Sequence, residues 1–396
     1  MKKLFIARLT FIFATALVLI LIISGCKMQP AAETYPPLTI IEGLASSETL
    51  PAIEPSVETG PTGKSSANFE IIYITKLAGV AWFEILRTGL EQCARDYGFK
   101  ATVTGPAKID AASQVKLVED AIADTGIDAI AVSPIDDAQI DQVLARAISS
   151  KKLTFGHEGT GLKNITYDIE AVSEQAFGEY IMNSAIKYTG GSGSYICSVG
   201  FLNSISQNRW ADAEISFQQE NAPDLKNVLG YSRGTDRFED TEDKKAAYNK
   251  ILEFIKAYPG LNLIVGNSMT TGIAAGQVIE KKGLAGKLFF VGTGLPVTIG
   301  SYIRKGVVQE GIFWDPYLVG YTVGYIALNV WLENPIEQGD AVLRPDGTKI
   351  QGYESLEITA NKSGGKIISG KGQVSITKDN IEEWYAKFKG YGWLQE

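Results

Sequence analysis

The sequence predicts an α/β protein built as two doubly wound parallel-sheet lobes. Three observations carry this. The chain is 396 residues long, 45% hydrophobic and 21% charged, enough for two lobes of about 150 residues each. From Phe69 onward, short β-branched or aromatic runs alternate with longer amphipathic segments, a rhythm that calls for a parallel sheet with helices on both faces. Near residues 165–169 the rhythm is interrupted and then begins again, as two consecutive lobes require.

The elements follow in order. Residues 69–75 (FEIIYIT) read as a buried strand, and 82–97 as a helix with Phe83, Leu86, Leu90, Cys93 and Ala94 on one face. A strand at 100–104, a helix at 113–124, a strand at 129–133, a helix at 140–149 and a strand at 153–155 complete the first series. The second series runs helix 173–188, strand 194–199, helix 210–220, strand 228–231 and helix 241–257. It continues with strand 263–265, helix 271–282, strand 288–291, helix 297–305, strand 308–313 and helix 317–332. Gly190, Gly191 and Gly193 precede a strand rather than follow one, so they form a turn and not a dinucleotide loop. The stretch 339–372 is rich in glycine and polar residues, with short strand-like runs at 356–359 and 366–368, and 375–388 closes the chain.

The N-terminal part stands outside this rhythm. Lys2, Lys3 and Arg8 precede an uncharged apolar stretch, residues 9–23, that ends in Ser24-Gly25-Cys26. The pattern is that of a secretory signal, and the apolar run is short for a permanent span. Its end resembles the lipobox of bacterial lipoproteins, which implies cleavage after Gly25 and a lipid on Cys26. Residues 27–68 hold Pro30, Pro36, Pro37, Pro51, Pro55 and Pro61 without a sustained period, and 26–68 reads as a flexible, lipid-anchored tether. Within it Gly60-Pro61-Thr62-Gly63-Lys64-Ser65 mimics the tail of a phosphate loop. Glu58 stands where that motif needs its first glycine, and no strand precedes it.

Composition excludes other classes. One histidine and three cysteines are too few for the common zinc, haem or iron–sulfur sites, so no metal and no cofactor is expected. The formal charge of −8, with no basic run past the leader, argues against nucleic acid as a partner. With Cys26 lipidated, Cys93 and Cys197 read as buried free thiols. His157 lacks an accompanying Ser or Cys nucleophile motif, and no catalytic residue is assigned.

Ligands of open parallel sheets bind beyond the carboxyl ends of strands. That rule selects Lys76, Trp82 and Phe83 after the first strand, His157 and Glu158 after the fourth, Gln207 and Arg209, then Asn267, and finally Trp314 with Asp315. Aromatic faces cover the C–H face of a sugar ring, and amide and charged groups read its hydroxyls, which suggests a polar small molecule held between lobes. Each has a plainer reading: Trp82, Phe83 and Trp314 as core, Lys76 as a solvated loop residue. Asp136 and Asp137 read as helix capping.

Lys76-Leu77-Ala78-Gly79-Val80-Ala81-Trp82-Phe83, Gln207-Asn208-Arg209-Trp210 and Gly311-Ile312-Phe313-Trp314-Asp315 make the chain resemble the type I periplasmic sugar-binding proteins, closest to the autoinducer-2-binding and rhamnose-binding branch. The resemblance runs from about 69 to 388. It implies two lobes joined by a three-strand hinge, with 69–156 plus about 295–335 in one lobe and 157–294 plus about 336–396 in the other. It further implies a monomeric, non-enzymatic, lipid-anchored receptor in the cell envelope, in the periplasm or at the outer face of the cytoplasmic membrane. That receptor would close on a sugar or polyol and dock on an ABC permease. Lys76 and Gln207 match the lysine and glutamine ligands of the autoinducer-2 site. Gly156, Ser206, Gly266 and Ser268 replace its other contacts, and Asn267 falls where ribose-type binders keep an asparagine. The expected ligand is a pentose, deoxyhexose or related polyol, with autoinducer-2 as the alternative, and a sensor role beside a membrane kinase or chemoreceptor as the alternative to import.

Overall fold

The protein is described by a computed structural model over residues 54–79 and 81–391. The signal segment, Cys26 and most of the expected tether lie outside the described residues.

The first sheet is assembled from β1 (Glu70–Ile74), β2 (Lys100–Thr104), β3 (Ala129–Val132), β4 (Leu153–Gly156) and β5 (Tyr167–Glu170), all parallel, in the order β5-β4-β3-β1-β2. Its helices are α1 (Ala81–Tyr97), α2 (Ala111–Ala123) and α3 (Asp137–Ser149). The second sheet takes β6 (Ser192–Val199), β7 (Asp224–Asn227), β8 (Phe238–Glu239), β9 (Leu263–Gly266), β10 (Phe289–Thr293) and β11 (Glu310–Trp314). Among these strands lie α4 (Glu174–Thr189), α5 (Ile205–Asn221), α6 (Lys244–Ala257), α7 (Met269–Lys282) and α8 (Pro296–Arg304), and α9 (Pro316–Trp331) follows. The chain ends with β12 (Glu357–Ala360), β13 (Lys366–Ser369), β14 (Gln373–Ile376) and α10 (Ile381–Gly390).

Local chemistry sets the ends of these elements. Asp110, Asp136, Ser173, Asp243 and Ser268 each accept a backbone N–H of the first turn that follows, filling donors a helix start leaves orphaned. Gly190 and Gly283 end α4 and α7 at φ 63° and 62°, left-handed positions that glycine occupies without a Cβ penalty. Asp136 is thus the expected cap, whereas Asp137 accepts from Gly161 N at 3.1 Å and ties the loop after β4 to α3.

The chain crosses between the sheets after β5, after β11 and after β13. At the crossings Gly370 N donates to Glu170 O and Gly372 N to Ala171 O, at 3.1 and 2.8 Å, so two of the connections lie side by side. Lobe membership differs from the expected boundaries. Of the stretch 295–335 only α9 returns to the first lobe, where it packs on α1, while α8 and β11 stay with β10 in the second lobe. Strand β5, at the point where the sequence rhythm is interrupted, is a full member of the first sheet. β12 and β13 extend that sheet beyond β5, β12 running antiparallel to β13. β14 joins β11 antiparallel, inside the segment that was expected only to close the chain.

The α1–α9 approach depends on glycine. A Cβ on Gly89 would lie 1.9 Å from Tyr317 O, and one on Gly320 2.0 Å from Leu86 O. One core cluster runs from this helix pair through Trp314 to Phe177, Tyr195 and Val265 of the second lobe. A second cluster fills the α6–α8 and α10 side, and a third lies under α2 and α3.

Residues 54–68 correct the tether reading at its end. Ser56 N donates to Asp96 O at 2.8 Å, Thr59 pairs with Ser65, and Ser66 is fully buried. Lys64 reaches Trp331 O at 3.1 Å and Glu333 at 2.9 Å. The phosphate-loop mimic is therefore a tight turn docked on the first lobe.

Candidate functional site

The carboxyl ends of β1, β4, β6, β8, β9, β10 and β11 converge on one cleft with a volume of about 460 Å³. From the first lobe it is walled by Lys76, Trp82, Phe83 and Glu158. Ser206, Gln207, Trp210, Glu242, Asn267, Ser268, Thr293 and Leu295 line it from the second, and Trp314 stands at the crossing.

The aromatic part is a set of edge-on rings. Trp314 meets Trp82 and Trp210 with ring centres 5.7 Å apart in each case, and Phe177 at 5.3 Å. Trp314 is 9% exposed, so it is both core and floor, while Trp82 and Trp210 are half-buried and keep surface free. Edge-to-face packing suits the ring quadrupoles and holds the planes rigid.

The polar part is tightly paired. Lys76 Nζ donates to Glu158 Oε2 at 2.5 Å. Burial would push the Lys76 ammonium down, but Glu158 outweighs it and the net shift is upward. Burial would raise Glu158, and Lys76 with His157 brings it below its ordinary range. Glu158 sits at φ 58°, a left-handed position that a side-chain-bearing residue adopts at a cost. Its N–H donates to Glu170 Oε1 at 2.7 Å, which anchors the turn. Glu170 is held well above the carboxylate range by burial and by Asp168, and Asp168 is itself pushed up to about 7 by burial. Both shifts run toward the neutral form, which limits the negative charge behind Glu158.

The structure brings together seven of the ten expected residues: Lys76, Trp82, Phe83, Glu158, Gln207, Asn267 and Trp314 all line the cleft. The other three lie elsewhere. His157 is fully buried beneath Glu158, its Nδ1 donating to Ile169 O at 2.8 Å, and burial lowers its pKa below the ordinary imidazole value. Arg209 donates to Glu174 Oε2 at 2.6 Å and to Thr160 Oγ1 at 2.8 Å, linking the start of α4 and α5 to the loop after β4 beside the cleft. Asp315 corrects the reading most clearly. It caps α9 through Tyr317 N at 3.0 Å and accepts from Tyr391 Oη and Lys387 Nζ, each at 2.6 Å, away from the cleft. Adjacent residues of an extended crossing face opposite ways, so Trp314 and Asp315 could not share one wall.

Sequence reasoning did not select Trp210, Glu242 and Thr293, while Ser206 and Ser268, placed by the resemblance at contact positions, do line the cleft. Trp210 had a signal, since it lies three residues after Gln207 and shares its face of α5. Glu242 follows the two-residue strand β8, too short to show a period, and together with Thr241 it has positive φ, 51° and 55°.

Solved structures share this fold, among them the following three. A sugar ABC transporter protein from Actinomyces odontolyticus is 20% identical, with a TM-score of 0.67 over 81% of this chain and 98% of its own. LsrB from Clostridium saccharobutylicum, in complex with AI-2, is 20% identical, with a TM-score of 0.64 over 80% and 99%. An ABC transporter solute-binding protein from Clostridium phytofermentas with bound L-rhamnose is 21% identical, with a TM-score of 0.66 over 81% and 98%. At this identity the likeness concerns the fold. The family of periplasmic binding protein domains matches residues 71–334, a span that opens in β1, passes through both lobes and ends just beyond α9. With two lobes, three crossings and a cleft at the strand ends, the chain belongs to the periplasmic binding protein domain family, whose members bind rather than transform their ligands.

Proposed function

We propose that the protein is the substrate-binding component of an ABC importer and that it holds a neutral sugar or polyol in the inter-lobe cleft. The observation that carries this is the composition of the cleft wall. Half-buried Trp82 and Trp210 supply flat apolar faces from opposite lobes, and Lys76–Glu158, Gln207 and Asn267 supply hydrogen-bonding groups between them. Lys76, the one cation lining the cleft among the described residues, is already paired with Glu158, which disfavours an anionic ligand. A ligand touching both lobes stabilises their closure, because only the closed form offers both sets of contacts.

A pentose or deoxyhexose fits this wall, and the L-rhamnose complex of a structural relative supports that class. The presence of Lys76 and Gln207 in the cleft keeps the AI-2 reading as second. In this reading the signal segment exports the chain, Cys26 carries the lipid in the cell envelope, and the closed form docks as a monomer on a permease. A sensor would use the same closed form before a membrane kinase or chemoreceptor, and genes adjoining this one would distinguish the two.

Native mass spectrometry of protein purified without added sugar tests the reading. A co-purified mass matching a monosaccharide supports it. A bound amino acid, peptide or metal ion in the cleft would replace it.

A further inference from the structure

Behind the cleft wall, Asn267 is 1% exposed and Glu214 is fully buried. Asn267 Nδ2 donates to Glu214 Oε2 at 3.0 Å, and Cys197 Sγ donates to the same oxygen at 3.3 Å. Asn267 Oδ1 has no protein partner, although it is buried. A side-chain amide has one donor end and one acceptor end, so whichever end is taken fixes what the other offers. Gln207 shows the reverse arrangement. Its Oε1 accepts from Gly200 N at 2.6 Å, which leaves its amino group as the free end.

We propose that Glu214 is a positioning residue of the cleft: by taking the amino end of Asn267 it makes that amide an acceptor, while Gly200 makes Gln207 a donor. The inference rests on the cleft being the ligand site. It specifies a ligand that donates a hydrogen bond at Asn267 and accepts one at Gln207. A hydroxyl does both, whereas an ether, carboxylate or fluorine at the Asn267 position cannot donate. An orphaned buried acceptor is costly, so Asn267 Oδ1 discriminates strongly for the group that satisfies it. Glu214 suits this role because its Oε2, already facing Asn267 Nδ2 and Cys197 Sγ, accepts whether or not Oε1 carries a proton. Besides Asn267, Cys197 on β6 donates to it and Arg237 just before β8 acts on it electrostatically.

Two variants separate the acceptor from the charge. Glu214→Gln keeps an acceptor oxygen facing Asn267, and Glu214→Met removes it at similar volume while sparing the fold a buried carboxylate. Binding is read by calorimetry with L-rhamnose and D-ribose, and amide exchange of the Asn267 side chain by NMR without ligand. The expected result is Kd within about threefold of wild type for Glu214→Gln and raised at least about tenfold for Glu214→Met, the loss of one oriented buried hydrogen bond. The Asn267 amino protons should be protected in the wild type and Glu214→Gln, and exchange freely in Glu214→Met. Wild-type affinity in Glu214→Met, equal weakening in both variants, or unprotected Asn267 amino protons in the wild type would overturn the proposal. If the wild type binds neither sugar, the sugar reading is what fails for those ligands, and the exchange experiment alone decides the role of Glu214.

Discussion

Replacing Trp314 and Trp82 by alanine should separate the floor of the cleft from its wall. Trp314 is 9% exposed and touches Trp82, Trp210 and Phe177, whereas Trp82 is half-buried and its one ring partner among the described residues is Trp314. Removing a buried tryptophan forfeits its transfer energy and leaves a cavity, about 3–5 kcal/mol, and three edge-on pairs at about 0.5–1.5 kcal/mol each account for much of that. Trp82→Ala loses one pair and partial burial, so about 1–2 kcal/mol is expected. Urea unfolding followed by far-ultraviolet circular dichroism gives both stabilities, and calorimetry with a sugar that binds the wild type gives both affinities. Trp82→Ala should weaken binding at least about tenfold with little loss of stability, since ring stacking on the ligand is worth about 1–2 kcal/mol. Trp314→Ala should lose both. A Trp82→Ala protein that loses stability but binds normally, or a Trp314→Ala protein as stable as wild type, would refute the division of labour.

Other predictions follow from the packing and charges. Gly320→Ala places a Cβ against Leu86 O and should part α1 from α9, costing at least about 1–3 kcal/mol in the same unfolding assay. Burial pushes Glu214 up to about 7, so the native state binds a proton that the unfolded chain has released above its ordinary carboxylate pKa. Stability should therefore fall as pH rises from about 4.5 to 7 and level off above, by an order of 3 kcal/mol from this group, and Glu214→Gln should flatten that slope. Asp168, also near 7, contributes in the same direction, so the flattening will be partial. Arg209→Met removes the bonds to Glu174 and to Thr160 of the other lobe, and should increase the radius of gyration of the ligand-free protein in X-ray scattering. An unchanged scattering profile would mean that this contact does not hold the lobes together.

Much of the fold is legible because its signals are local. The βα rhythm follows from periodicity, and the caps at Asp110, Asp136, Ser173 and Asp243 are short-range chemistry. What sequence reading missed depends on partners distant in the chain. β13 belongs to the first sheet because it pairs with β5 some 200 residues earlier, and nothing in KIIS records that choice. The assignment of β11 to the second sheet is equally non-local. The end of the tether folds because Ser56 and Lys64 find partners on the first lobe and buried Ser66 pairs with Glu58 of the same segment, while its proline content argued for an open chain. In the site, the strand-end rule found Lys76, Glu158, Gln207 and Asn267, since it follows from sheet topology. It placed His157, Arg209 and Asp315 less well because loop proximity does not give side-chain direction. Alternation between Trp314 and Asp315 was available to correct the last of these.

The most direct test of a sugar-binding cleft is the melting temperature of the purified protein across a panel of neutral pentoses, hexoses, deoxyhexoses and polyols, with Trp82→Ala as the control. A ligand present at about a hundred times its Kd stabilises the native state by about 2.7 kcal/mol, enough to move the transition visibly. One sugar or polyol should raise the wild-type transition, and the shift should shrink in Trp82→Ala. No shift with any member of the panel, or a shift that Trp82→Ala leaves intact, would contradict it.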